Sequence, residues 1–134
     1  MVVHVEAEQF AARVRALLRV RGQHRPWPRR RLDRWVLLQC VARRVRTGEE
    51  LNERQANERI QNWLLGPGAQ LEVDFVTVRR ALIDEGFWDR EPGGTRYRRS
   101  GVHGHRVTFA GELPEEEIVL AEPRPEGERR RRDS

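Results

Sequence analysis

Apolar side chains recur at helical spacing near the start of the chain, at positions i, i+4, i+7 and i+8. This spacing puts them on one face of a helix. The residues that share this face are Phe10, Val14, Leu17 and Leu18. We predict an amphipathic helix over residues 5–21 that Gly22 ends. A second helical pattern over residues 29–46 has Leu37 and Cys40 outside its main apolar arc, so this helix is expected to pack on two sides.

Two further helices are indicated by the residues at their ends. Asn52 is a favourable N-cap, and Gln55 three residues later can complete a capping box. The third helix follows this cap and stops at the Gly-Pro-Gly break of residues 66–68. The fourth helix is predicted over residues 74–85, from an N-cap aspartate to a final glutamate, with Gly86 as its stop.

Strand signals follow the fourth helix. Residues 87–91 and 95–99 are predicted to form a hairpin around a Pro-Gly-Gly turn. Alternation over residues 105–109 predicts a second hairpin, with residues 118–120 as the partner strand. Three helices followed by a hairpin is the element order of a winged helix. The predicted fold class is therefore α+β: a winged-helix-like three-helix core with a β-hairpin wing, plus an N-terminal amphipathic helix and a C-terminal extension.

Composition divides the chain into four segments. Residues 1–25 hold the N-terminal amphipathic helix, and residues 26–99 hold the winged-helix-like core. Residues 100–121 hold the predicted β-hairpin extension, although three consecutive glutamates at 115–117 indicate a solvated acidic turn there. Residues 122–134 are strongly charged and otherwise mostly Pro and Gly, so they cannot bury enough surface to fold, which predicts a disordered tail.

Charge is distributed unevenly along the sequence. The formal net charge is +5, and every basic residue is arginine. Residues 1–48 hold 12 arginines against 3 acids, whereas residues 49–134 hold 14 arginines against 18 acids. A basic first third indicates a polyanionic partner such as DNA, bound through its backbone. Two other interpretations remain open at this point: a solvated basic face, or an internal partner for the acidic remainder.

Several classes of function find no support in the sequence. The single cysteine, Cys40, cannot form a disulfide within the chain, which fits a cytoplasmic location. No apolar stretch approaches the roughly 20 residues of a membrane span. The histidines of residues 103–105 lack the further ligands that a metal site needs. We predict no catalytic, metal or cofactor-binding residues, and hence a protein that is not an enzyme.

Two stretches carry a family resemblance. Residues 51–57 (LNERQAN) and residues 74–90 (DFVTVRRALIDEGFWDR), followed by Gly94 and Tyr97, are similar to the prokaryotic family called domain of unknown function 2087. Its proline-plus-basic entry is matched by Trp-Pro-Arg-Arg-Arg at residues 27–31. The resemblance covers about residues 27–99.

The sequence departs from the family pattern in named places. Leu51 replaces an aromatic residue, and Gln55 and Ala56 replace Glu and Val. The segment over residues 65–73 is longer than is usual in the family. Family members are often joined to a helix-turn-helix regulator domain, and here one extra helix stands in that place. The resemblance implies a winged-helix-like module of regulator-like proteins.

Arginines interleaved with an aromatic residue suit phosphate contact combined with stacking. The predicted nucleic-acid-binding residues are Arg25, Trp27, Arg29, Arg30, Arg31, Arg80, Arg96 and Arg98. The last two would act from the wing.

The fourth helix itself is poorly suited to reading base edges. Glu72 and Asp74 lie at its N-terminal end, the end that enters the groove in helix-turn-helix proteins. Arg79 lies beside the apolar stripe and is expected to be structural, with Glu53 or Asp84 as its partner. Arg80 points outward, although Asp84 one turn later could pair with it.

Two functions follow as expectations. The first is a small non-enzymatic DNA-binding or transcription-associated accessory protein, which contacts the phosphate backbone through N-terminal arginines. The alternative is a protein-interaction module without nucleic acid, in which the apolar face of the first helix docks a protein partner or a second copy as a homodimer.

Overall fold

The computed structural model describes residues 1–19, 24–93 and 95–123. Five helices lie in these ranges: α1 Ala7–Leu18, α2 Arg31–Ala42, α3 Glu53–Leu65, α4 Phe75–Asp84 and α5 Glu116–Ala121. The strands are β1 Val3–Val5, β2 Arg25–Pro26, β3 Glu50–Leu51, β4 Leu71–Glu72, β5 Trp88–Arg90, β6 Tyr97–Arg99 and β7 Val107–Phe109. A short 3-10 turn covers Val102–His105. Within the described ranges, none of the helices combines the length and the apolar character needed to cross a membrane.

The predicted α+β class and the three-helix core with its hairpin are confirmed. Helices α2, α3 and α4 pack together, and β5 and β6 form the antiparallel hairpin that follows them. Strand β3, which lies between α2 and α3, pairs with β6 and completes a three-stranded sheet in the order β3-β6-β5. Leu37 and Cys40 are both fully buried, so α2 packs on two sides as predicted.

The predicted helix caps are present. The Asn52 side chain accepts the Gln55 N–H at 2.8 Å, and the Gln55 side chain accepts the Asn52 N–H at 2.9 Å. Asp74 caps α4 by accepting the Thr77 N–H at 2.7 Å. Helices α1 and α2 are shorter at both ends than their predicted ranges, whereas α3 and α4 agree with theirs to within one residue at each end. The predicted stop of α1 at Gly22 lies outside the described residues.

The predicted second hairpin is wrong. Strand β7 forms within the expected segment, but its partner is β1, in parallel register with Val3 opposite Val107. Residues 118–120 belong to helix α5, in which Val119 is buried and Ile118 is exposed. Acidic residues favour the first turn of a helix, so the glutamates that precede this short apolar run start a helix there. Of the predicted disordered tail, residues 124–134 lie outside the described residues.

The two ends of the described chain pack on each other. Helix α1 contacts α5 and α2, and β1 lies beside β7. Phe10 of α1 and Phe109 of β7 meet edge to face, with ring centroids 6.1 Å apart. We call these two ends, residues 1–19 and 102–123, the terminal layer. One continuous apolar core joins this layer to α2–α4.

The connection between α2 and α3 contains an acid whose ionisation supports the fold. Glu49 accepts hydrogen bonds from Arg59 Nη2 at 2.8 Å and from the Arg46 N–H at 3.0 Å. These bonds, that from Arg59 first, lower the pKa of Glu49 from 4.5 to about 2.

Because this pKa is lower in the folded chain than in the unfolded chain, the contact stabilises the fold at neutral pH. Its contribution is lost as the pH falls from about 4.5 towards about 2. We expect Glu49→Gln to lower the melting temperature at neutral pH and to reduce the further loss on acidification. Thermal melts across this pH range test the prediction, with Glu58→Gln, from an exposed pair with Arg54, as the control. Identical acid dependence of the two variants and the parent protein would contradict it.

Candidate nucleic-acid interface

Residues 25–31, which we call the basic entry segment, are held in place from both ends. Strand β2 pairs in parallel with β4, and the Arg25 N–H donates to the Gln70 carbonyl at 2.7 Å. Trp27 is half-buried and packs against the core. At the other end, the Arg34 guanidinium donates to the carbonyls of Pro28 and Arg29. The segment is therefore fixed by backbone contacts that leave its own guanidinium groups free.

Four arginines of this segment face solvent. Arg25, Arg29, Arg30 and Arg31 are all exposed. None of them forms an ion pair with a carboxylate of the described ranges. The guanidinium of Arg31 lies over the Trp35 ring, 5.2 Å from its centroid, which orients the group without neutralising it. The predicted residues of this segment thus stand together as an unneutralised basic strip.

The strip coincides with the start of α2. Arg30 is the N-cap residue, and no side chain caps the first backbone N–H groups of the helix. Asp33, the acid of the first turn, pairs instead with Arg13 of α1, with Nη1 and Oδ1 3.2 Å apart. A helix N-terminus carries partial positive charge and offers N–H donors to an anion. The charge of the arginines and the dipole of α2 therefore act in the same direction.

Helix α4 places its predicted residues differently. Arg79 bonds to Asn57 Oδ1 at 2.6 Å and pairs with Glu53 at 3.5 Å, so the expected structural role with Glu53 is confirmed. Arg80 is exposed, and no ion pair joins it to Asp84 within the described part of the chain. Of the charged residues of α4 and its N-cap, Asp74, Arg80 and Asp84 are exposed, which sets one arginine against two acids.

The wing arginines have acidic partners, in pairs that are exposed to solvent. Arg96 pairs with Glu50 at 3.0 Å and with Glu91 at 4.0 Å. Arg98 lies between Glu50 at 3.9 Å and Asp89 at 3.8 Å. Three acids thus face two arginines on the sheet surface. The register of β3 and β5 against β6 creates these pairs, which the sequence alone did not predict.

Most other arginines of α1 and α2 serve the fold, as the interpretation of an internal acidic partner expected. Arg43 donates to Glu116 Oε1 at 2.8 Å, and Trp63 Nε1 donates to Glu116 Oε2 at 3.0 Å. The expected solvated acidic turn is therefore wrong for Glu116, which is 1% exposed. No signal in the sequence indicated the role of Glu116, because its partners lie 73 and 53 positions away.

The apolar face proposed for docking is occupied within the chain. Phe10, Val14, Leu17 and Leu18 are all buried, packed on α2 and α5. The surface on which the protein-interaction alternative depends is thus part of this chain's own core.

No group of three or more metal-ligating side chains occurs within the ranges that the structure describes. Of the two histidines in the 3-10 turn, His103 stacks on Phe87, with 4.2 Å between ring centroids, which gives it a structural position. Burial lowers the pKa of His103, against opposing hydrogen bonds to Gly86 and Ser100.

Residues 25–99 match the model of a family described as an uncharacterized protein conserved in bacteria, domain of unknown function 2087. No curated protein and no solved structure matches the chain at a significant level. The match includes the basic entry segment, α2–α4 and the hairpin, and it leaves the terminal layer outside. It confirms the resemblance seen in the sequence and spans more than half of the 134 residues. The chain therefore belongs to the bacterial family domain of unknown function 2087.

Proposed function

We propose that this protein is a non-enzymatic, cytoplasmic, transcription-associated accessory protein that binds the phosphate backbone of DNA through its basic entry segment. One observation carries the proposal: Arg25, Arg29, Arg30 and Arg31 are exposed and without carboxylate partners in the described ranges, at the uncapped start of α2. Concentrated cationic charge that the fold does not neutralise suits a polyanion.

The order of elements agrees with a role on DNA. Helix, strand, two helices and an antiparallel hairpin, with the first strand beside the last, is the arrangement of winged-helix domains. The acids around α4 and on the wing oppose the usual docking of that fold, in which the third helix enters the major groove. Backbone contact through the entry segment avoids those acids and carries no base readout. The proposal therefore specifies binding that depends on salt and little on sequence.

The test is fluorescence anisotropy of a labelled random-sequence duplex of about 25 base pairs, titrated at several salt concentrations. Each phosphate neutralised contributes about −0.9 to the slope of log K against log salt. We expect the combined variant Arg29→Ala, Arg30→Ala and Arg31→Ala to flatten the slope by about 2 to 3. Binding should weaken equally for unrelated duplex sequences.

A control of equal charge uses arginines that already have acidic partners. The variant Arg54→Ala, Arg96→Ala and Arg98→Ala also removes three positive charges, from groups paired with Glu58, Glu50, Glu91 and Asp89. It should change the slope by about 1 or less. Equal slopes for the two triple variants would mean that binding depends on the net charge of the protein and not on the entry segment.

A further inference from the structure

Helix α5 and the residues beside it cover a second group of arginines. Residues 112–122 contain five glutamates and no basic residue. Arg43 and Arg44 of the end of α2 contact the start of this segment, and Arg15 and Arg19 of α1 contact its end. The guanidinium groups of these four arginines thus contact acidic side chains or backbone carbonyls of this one segment.

The inner and outer contacts of this arrangement differ in burial. The Glu116 side chain is 2% exposed and holds Arg43. Glu117, which pairs with Arg44, is 48% exposed, and Glu122, which lies 4.0 Å from Arg15, is 53% exposed. These two carboxylates are open to solvent, whereas the side chains of Arg44 and Arg15 are 33% and 19% exposed, and Arg44 also lies 3.6 Å from Glu116. A phosphate can compete with Glu117 and Glu122 at the part of each arginine side chain that remains exposed, because a solvent-exposed carboxylate contributes little through its ion pair.

The acidic segment also leaves donors of these arginines unsatisfied. Arg15 Nε and Arg19 Nη1 have no hydrogen-bond partner among the described residues, but both atoms are fully buried and are therefore not contact points for a phosphate at the surface. Arg19 Nη2 donates to the carbonyls of Val119 and Glu122 at 2.7 and 2.9 Å, so neutral oxygens serve this cation. A phosphate group offers several charged acceptor oxygens and is a stronger partner for a guanidinium than a backbone carbonyl.

From these contacts we propose that the outer rim of α5 is a second site for the phosphate backbone of DNA, at which Glu117 and Glu122 act as built-in competitors. Phosphates displace these two carboxylates from Arg44 and Arg15, while Glu116 and Val119 keep α5 attached to the core. No undocking of the helix is needed, because both competing carboxylates are already at the surface. The inference extends the proposed DNA-binding function and adds a site outside the range that matches the family.

The test neutralises the two competitors and compares them with two acids that have no ion pair within the described ranges. Glu117→Gln with Glu122→Gln is compared with Glu8→Gln with Asp84→Asn, so both variants lose two negative charges. Both pairs are also made with Arg29, Arg30 and Arg31 replaced by Ala. The probe is the labelled 25-mer duplex used for the entry segment.

The competitor variant should bind about threefold or more tightly than its charge-matched control, with a salt slope steeper by about 1. The difference should persist when the entry segment is neutral, which separates this site from the first. Equal affinity and slope for the two double variants would overturn the inference, even if the entry segment proves essential. Conversely, the competitor variant could bind DNA more tightly while replacement of the entry arginines has no effect on affinity. That result would support the site at α5 and refute the site at the entry segment.

Discussion

Replacement of Glu116 by Ala is expected to destabilise the protein by about 3 to 5 kcal/mol, because it leaves Arg43, whose side chain is only 16% exposed, without its carboxylate. Arg43 would retain the carbonyl of Pro114 at 2.8 Å as a partner, but no charge would oppose its own. The buried indole N–H of Trp63 would lose its acceptor as well. Since domains of this kind are stable by about 5 to 15 kcal/mol, the loss is a large fraction of the total.

The carboxylate is ionised in the fold despite its burial. Desolvation alone raises the pKa of Glu116, but the charge of Arg43 and the hydrogen bonds from Trp63 and Arg43 outweigh it, and the pKa is lowered. The group therefore adds stability at neutral pH that is lost on acidification. The same carboxylate and burial raise the pKa of the Cys40 thiol, burial being the larger cause, so this cysteine stays protonated.

Urea unfolding at neutral pH measures the effect, with Glu117→Ala as the matched control on the same helix. Because Glu117 is half exposed, its loss should cost at most about 1 kcal/mol. Glu116→Gln should fall between the two, since the amide keeps the shape and one acceptor. A double-mutant cycle with Arg43→Met isolates the pair. Similar costs for Glu116→Ala and Glu117→Ala would mean that the buried contacts of Glu116 stabilise the protein no more than a surface ion pair does.

The core of the family module was predictable because its signals are local. The Asn52 and Asp74 caps lie within three residues of the groups that they bond. The stop at Gly86 likewise belongs to the last turn of its own helix. Such features depend on side chains that are near one another in sequence. The order of the helices and the hairpin could therefore be predicted from the sequence alone.

The terminal layer was not predictable in the same way. Strand β1 has three residues, and its parallel partner begins 104 positions later, at Val107 opposite Val3. Three apolar residues in a row, as at 118–120, fit a short strand and a short helix equally well. Burial against α1 decides between them, and the pattern contains no information about that contact.

In the candidate interface, too, features that depend on residues near in sequence were predictable, and features that depend on distant residues were not. The exposed arginines of the entry segment were found from sequence, since a dense run of one charge cannot be neutralised by its immediate neighbours. The pairing of Arg96 with Glu50 depends on a strand register across 46 positions. Charge balance left open that acids pair with arginines within the chain, but the fold decides which arginines remain without acidic partners.

Replacement of Gly86 by Ala is expected to cost about 2 to 5 kcal/mol, because two separate penalties meet at this position. The backbone φ is +81°, in the left-handed region that side chains with a Cβ avoid. A Cβ here would also lie 2.8 Å from the His103 backbone nitrogen and 3.0 Å from Val102 Cβ. The first of these is backbone, which cannot rotate away, so the 3-10 turn would have to move.

Gly48→Ala separates the two penalties. Gly48 has φ +87°, and a Cβ there would meet nothing within 4 Å, so its substitution carries the conformational cost alone, about 1 to 2 kcal/mol. The excess for Gly86→Ala then reports how firmly the 3-10 turn holds its place, with the His103 N–H bonded to the Gly86 carbonyl at 3.0 Å. Urea unfolding of both variants provides the comparison. Equal costs would mean that residues 102–103 can move away from a Cβ at position 86 without loss of stability. The terminal layer would then be loosely attached to the family module and would not form a single core with it.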